Sequence, residues 1–203
     1  MGITLQQFNQ MAARVSGRKS RVASPALEPM PMRRPTARQI ILGLDPSLRG
    51  TGYGVIETGK PNARALAHGT IDCPAAWPHS RCLAHISQSL REVVRKFQPT
   101  VCAVEGLFFA QNLKTAIVMG EARGAAIAAV AEAGLEIYEM APRKVKQAIV
   151  GYGAAQKHAV AKMVQRLLQL SEPPPPDAAD ALALALAHAQ EQGRYSLSPA
   201  RRI

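Results

Sequence analysis

The chain is poor in aromatic side chains: Phe, Trp and Tyr make up 4% of its 203 residues, and there is one Trp. With 47% hydrophobic residues it can still build a core, from Ala, Leu, Val and Ile, and its length fits one domain with appendages. Cysteine is scarce as well. Cys73, Cys82 and Cys102 are odd in number and form no Cys-x-x-Cys pair, which argues against a disulfide framework and fits a reducing compartment. His79 and His85 lie beside Cys73 and Cys82, but this spacing matches no usual structural zinc pattern. No apolar run of about 18 residues free of charge occurs, which argues against a membrane-spanning helix. Acids are the remaining shortage: 14 Asp and Glu stand against 25 Lys and Arg, a formal net charge of +11. Such an excess favours polyanionic partners, because Lys and Arg release counterions from a phosphate backbone. A basic arm on an ordinary protein would give the same balance.

Part of that charge is an arm. The first 40 positions hold seven basic residues and one acid, Glu28, a net +6. Residues 1–39 mix Arg, Ser, Pro and Met, with helical periodicity limited to a short stretch near Leu5–Val15. They carry no apolar h-region and so do not read as a secretory signal. An Arg-rich, acid-poor composition is shared by organelle transit peptides and by basic bacterial extensions; the segment is expected to be a disordered arm.

Order begins at Gln39. Ile40–Leu44 is a β-branched run ending in Asp45, a buried strand by its pattern. Pro46–Gly52 reads as a turn and Tyr53–Glu57 as a second strand, close enough to the first for an antiparallel pair. Ala65–Ile71 is a third. From His79 to Phe97 the apolar positions Leu83, Ile86, Leu90, Val93, Val94 and Phe97 recur at helical spacing, and Gln98-Pro99 ends the helix. Thr100–Glu105 is a buried strand finishing on an acid. A long Ala-rich helix over Leu113–Ala133 follows, then a fifth strand over Leu135–Ala141 and a short helix opened by Pro142. Beyond Gly151-Tyr152-Gly153, a helix over Ala155–Leu170, the stiff run Pro173–Pro176 and a last helix over Asp177–Ala189 complete the domain; residues 190–203 read as a loose basic tail. This order predicts an α/β fold, a mixed five-stranded sheet with helices on both faces.

Four acids stand out. Asp45 and Glu105 end strands that meet if they are neighbours in the sheet, and Asp177 and Asp180, three apart, share one face of the last helix. Bare carboxylates at one point repel each other, so the cluster calls for hard divalent cations with oxygen ligands, Mg²⁺ being the usual one. Two such ions can activate a water and stabilise the leaving oxygen of a phosphodiester. Each acid also has a bland reading. Asp177 would serve as an N-cap with Asp180 as its capping-box partner, and Asp45 would start a turn. Glu105, directly after Val-Cys-Ala-Val, is harder to dismiss, because a buried acid needs a partner.

The segments Ile41-Leu42-Gly43-Leu44-Asp45-Pro46 and Thr51-Gly52-Tyr53-Gly54-Val55-Ile56 closely resemble the opening of the RuvC family of bacterial Holliday junction resolvases. Further family motifs follow in order: Glu105, Phe108 and Asn112; Gly120-Glu121-Ala122-Arg123-Gly124; Val145-Lys146-Gln147; Gly151-x-Gly153 and Lys157; then Asp177-Ala178-Ala179-Asp180. The resemblance covers residues 40–189. It implies a ribonuclease-H-like fold, a homodimer acting in the bacterial cytoplasm, and two symmetric nicks across a four-way junction in recombination and repair. It implies a branch-migration partner, RuvA–RuvB, and two Mg²⁺ per site, with Mn²⁺ able to substitute. By position, Asp45, Glu105, Asp177 and Asp180 match the metal-binding acids, with Asp45 bridging both ions.

Other residues become candidates beside them. An exposed Phe108 would stack on an unpaired base at the crossover, whereas a buried one would cap the following helix. Lys146 and Lys157, and more weakly Arg49 and Lys114, suit phosphate contacts. Ala116, Gly120 and Gly124 lay a small-residue ladder along the long helix, which the family uses for dimerisation; in one chain it could pack on the sheet instead. Ser47 stands where the family commonly has Gly, and a turn needing positive φ there would strain it. Three rivals remain: another ribonuclease-H-like nuclease, an actin-like ATPase (for which the chain is short), and a non-catalytic junction-binding scaffold.

Overall fold

The computed structural model describes residues 38–106, 112–192 and 200–203. Two apolar strands start the sheet. In β1 (Ile40–Asp45), alternate residues face opposite sides, so Leu42 and Leu44 enter one core while Ile41 enters the other. β2 (Gly50–Glu57) pairs with it antiparallel, Gly43 opposite Gly54 and Asp45 opposite Gly52. The connecting turn is therefore only Pro46–Arg49, tighter than the sequence suggests. β3 (Arg64–Asp72) continues the meander antiparallel to β2.

α1 (His79–Phe97) buries Cys82, Ile86, Leu90 and Val94, one per turn, and carries Arg95 and Lys96 in its last turn, where cations suit the helix dipole. It ends at Gln98, left-handed with φ 49°. β4 (Val101–Glu105) returns parallel to β1, and β5 (Glu136–Met140) lies parallel to β4. Between them runs α2 (Leu113–Ala131), whose N-cap Asn112 accepts the Thr115 amide at 2.9 Å. α3 (Pro142–Val150), α4 (Lys157–Leu168) and α5 (Pro176–Glu191) follow.

Among the described residues the sheet has six strands in the order β3-β2-β1-β4-β5-β6, one more than expected. The sixth, β6 (Arg201–Arg202), is the end of the segment expected to be a loose tail. It pairs antiparallel with β5, Ile203 donates to Ile137 at 3.0 Å, and Arg202 holds Glu136 at 2.9 Å. It thereby covers an edge that would otherwise offer open hydrogen-bonding groups. α1 and α2 pack on one face; α3, α4 and α5 pack on the other.

α5 fixes the site. It is buried almost all round, from Ala178 to His188, and its alanines let it lie directly on the sheet. Gly43 and Gly52 make the approach possible: a Cβ on Gly43 would stand 1.9 Å from the Ala181 carbonyl oxygen, and one on Gly52 would stand 2.1 Å from that of Asp177. No side chain fits there, so the glycines bring the first turn of α5 over the end of β1.

Candidate active site

Strand parity aims the first two acids. Asp45 follows Ile41 and Gly43 on the α5 face of β1, and Glu105 follows Val101 and Ala103 on the same face of β4. The strands are parallel neighbours, with Leu44 opposite Val104, so Asp45 and Glu105 leave the sheet side by side. Burial pushes the Asp45 carboxyl up to about 7, with Glu105 and Asp180 adding to the rise. Glu105 is raised as well, mainly by burial, while its hydrogen bond to Asp45 and the charges of Lys157 and Lys146 oppose the rise. The pair behaves as two carboxyls competing to ionise.

The other two acids come from α5. That helix begins at Pro176, a residue earlier than expected, because proline suits the first helical position. Its N-cap is Pro175, and no side chain caps it, so Asp177 is not the N-cap and the capping-box reading lapses. Asp177 lies instead against β2, where a Cβ on Gly50 would be 3.0 Å from its Oδ2. Asp180 receives the Lys157 ammonium at 2.8 Å, and that hydrogen bond raises the Lys157 pKa, with Asp45 and Asp177 also contributing.

Glu105, Asp180, Lys146 and Lys157 line a cleft of about 150 Å³ floored by Val145, Val160, Ala183 and Leu184. Among the described residues, no three Asp, Glu, His or Cys side chains close on one point as a ready-made metal cage. The electrostatics nevertheless tie Asp45, Glu105 and Asp180 together. That coupling is the more telling of the two observations, because mutually destabilised carboxylates are the donor set that a hard divalent cation stabilises. The residues fit such an ion.

The remaining candidates separate. Lys114 is exposed in the first turn of α2, apart from the acid cleft, where the dipole disfavours a cation. Gly120 and Gly124 have open space where a Cβ would be, and Ala116 is half-buried; with Leu113 at 77% and Ile117 at 52% exposure, that face of α2 does not pack on its own sheet. Phe108 lies outside the described residues. Arg49 departs from expectation: its Nη1 donates to the carbonyls of Pro74 (2.6 Å) and Trp77 (3.1 Å) and to the Cys82 sulfur (3.3 Å), so that nitrogen is already engaged. Ser47 is not in the left-handed region, which among the described non-glycine residues holds only Gln98 and Gln169, so the expected strain does not arise. His79 faces Glu121 (3.9 Å) and His85 meets Trp77 edge-on, leaving Cys73 and Cys82 as free buried thiols.

Two structural devices escaped the sequence reading. The glycines facing α5 are one; glycine inside a strand, a mark of close backbone approach, was the available signal. The other is Arg123, nearly buried, which pairs with Glu139 and ties α2 to β5 beside the end of β4.

A mixed sheet with paired carboxyls at the end of adjacent β1 and β4, and a helix laying two more acids over them, defines a ribonuclease-H-like nuclease. Comparison with known proteins narrows the class. The model of crossover junction endodeoxyribonuclease RuvC matches residues 41–188. A protein of that name from Akkermansia muciniphila is 49% identical over 148 residues, covering 73% of this chain and 89% of the relative. One from Moorella thermoacetica is 46% identical over 151 residues, 74% of this chain and 90% of the relative. Among solved structures, T. thermophilus RuvC in complex with a Holliday junction substrate superposes with a TM-score of 0.73 at 36% identity, over 81% of this chain and 99% of that one. The yeast mitochondrial Holliday junction resolvase Ydc2, at 13% identity and a TM-score of 0.53 over 76% of this chain and 81% of that one, shares the fold alone. The chain belongs to the RuvC family of crossover junction endodeoxyribonucleases.

Proposed function

We propose that the protein resolves four-way DNA junctions by paired, metal-dependent hydrolysis of phosphodiester bonds, with residues 40–189 as the nuclease domain. The observation that carries the reading is the placement of the acids: Asp45 and Glu105 leave adjacent parallel strands on the face over which Gly43 and Gly52 let the Asp177–Asp180 turn of α5 lie. Asp45, Glu105, Asp177 and Asp180 would hold two Mg²⁺ ions, with Mn²⁺ able to substitute. When bound, such ions lower the pKa of a water and offset the charge that develops on the leaving oxygen. The chain's own part is to orient: Asp45 at the end of β1 in the centre, Glu105 to one side, the α5 acids to the other. Lys146 and Lys157 line the cleft and draw the phosphate into it without reading bases.

Cleavage of a synthetic mobile four-way junction, with a linear duplex as control, tests the reading. Paired symmetric nicks in the junction alone are expected; equal cutting of the duplex would return the protein to the general nucleases. Lys146→Ala should weaken junction binding and make its logarithmic salt dependence shallower by about one, as loss of one phosphate contact requires. Titrations at several salt concentrations check this.

A junction with two-fold symmetry calls for two matched sites, and the exposed α2 stripe suits a second copy of the chain. Gly124→Leu should leave the folded chain stable, since the position is open and Leu favours helix, yet shift sedimentation from dimer to monomer. A dimer unaffected by Leu there would place the interface elsewhere. The branch-migration complex RuvA–RuvB is the proposed partner on the junction.

A further inference from the structure

Arg49 is exposed and lies four residues after Asp45, which suggests a phosphate ligand. Its contacts describe something else. The turn Pro46–Arg49 carries Asp45 at its start and hands over to Gly50, the residue against which the Asp177 carboxylate rests. On its inner side the turn closes on itself: the Thr51 hydroxyl donates to the Ser47 carbonyl at 2.7 Å and accepts the Ser47 amide at 3.3 Å. Leu48 is buried in the core under α1. Only the outer side needs an anchor, and Arg49 supplies it twice. Its own carbonyl accepts the Cys73 amide at 3.0 Å, fixing the turn to the end of β3. Its guanidinium then reaches 25 and 28 residues along the chain, to the carbonyls of Pro74 and Trp77, and to the Cys82 sulfur in the first turn of α1.

The Pro74 carbonyl also accepts the Trp77 amide at 3.0 Å, so the guanidinium grips a loop already turned on itself ahead of α1. A single nitrogen serves two carbonyls and a sulfur, joining three pieces of chain: the acid-bearing turn, the end of β3 and the entry to α1.

We propose that Arg49 is a positioning residue for the nuclease site: it holds the Asp45 turn, and with it the Gly50 seat of Asp177, against the β3–α1 loop. The inference rests on the hydrolytic reading of the four acids. A charge-assisted contact of this kind acts on geometry rather than on affinity for DNA. Displacing a reacting group by about 1 Å can cost about 100-fold in rate.

The test compares wild type, Arg49→Ala and Arg49→Lys by three readings: single-turnover cleavage of a four-way junction, junction affinity against salt, and the Mg²⁺ concentration giving half-maximal rate. Wild type must cut; if it does not, the hydrolytic reading fails first and this one with it. For Arg49→Ala the expected result is a cleavage rate lower by about 10–100-fold and a higher Mg²⁺ midpoint, with junction affinity within about two-fold and an unchanged salt slope. Arg49→Lys should recover part of the rate, because the three contacts converge on one nitrogen and an ammonium carries three donors. Weaker binding with a salt slope lower by about one would make Arg49 a phosphate contact and overturn the proposal. So would a rate loss that only tracks the unfolded fraction in a parallel melting curve, with the Mg²⁺ midpoint unmoved.

Discussion

Asp45→Asn is expected to cut four-way junctions at least about 10³-fold more slowly than wild type while folding more stably in the presence of a chelator. The rate follows from the position. Asp45 is the acid that Glu105 and Asp180 both face, so its loss removes the central ligand of the proposed metal site, and several kcal/mol of charge stabilisation correspond to three or more powers of ten. Junction binding should hold within about three-fold, because Lys146 and Lys157, not the acids, are the proposed phosphate contacts. The stability follows from the sign of the pKa shift. The folded carboxyl titrates near 7 against an ordinary 3.8, so between those values the folded state binds more protons than the unfolded one. Stability then falls as pH rises through that window, and above it the folded state carries the full cost of the buried charge. Asn removes that charge. At pH 8 without divalent ions the variant should gain about 1–3 kcal/mol, a gain that fades as pH falls from about 7 to about 4 and is gone below that, where wild type is protonated in both states. Urea unfolding at the two pH values checks it. A variant less stable than wild type at pH 8 would show that Asp45 is not held at electrostatic expense.

Two of the candidate acids were legible in the chain because Asp45 and Glu105 end strands. A carboxylate immediately after Ile-Ile-Leu-Gly-Leu or Val-Cys-Ala-Val cannot sit at the end of a buried strand without a reason, and two such strands next to each other supply one. Helix α1 was equally plain, from its apolar period and from Gln98-Pro99 at its end. What the sequence could not resolve depended on contacts made across the fold. Asp177 has the chemistry of an N-cap, and only the placement of Pro176 at the first helical position moves it inside the helix and onto β2. Arg49 looks like a surface cation until the β3–α1 loop, more than 20 residues away, is folded beneath it. The sixth strand is two arginines long, with no alternation to announce it; its pairing partner is Tyr138–Glu139, more than 60 positions earlier. Ser47 shows the opposite error. The family commonly has glycine there, and a turn needing positive φ would strain a serine, yet the Thr51 hydroxyl closes the turn without a left-handed residue.

The second large effect is expected from one methyl group. Gly52→Ala would place a Cβ 2.1 Å from the Asp177 carbonyl oxygen and 2.5 Å from its carbonyl carbon. These are backbone atoms in the first turn of a buried helix, so they cannot swing aside as a side-chain tip would. Either α5 lifts or β2 bends. The expected cost is about 1–3 kcal/mol of stability, the usual range for overpacking, and more if the helix moves as a rigid body. Cleavage should fall by about 100-fold even where the protein remains folded, because the displaced turn carries Asp177 and, one turn on, Asp180. Gly124→Ala separates this from a general intolerance of glycine replacement. Nothing lies within 4 Å of its Cβ position, and alanine favours a helix interior by up to about 1 kcal/mol, so stability should be unchanged or improved. Urea midpoints for the two variants should therefore move in opposite directions. Shortening the Asp177 side chain in the Gly52→Ala background should recover no stability, because the clash is with the main chain. Recovery there, or a Gly52→Ala protein as stable and as fast as wild type, would mean that α5 stands further from β2 and that Asp177 and Asp180 reach Asp45 by some route other than this glycine contact.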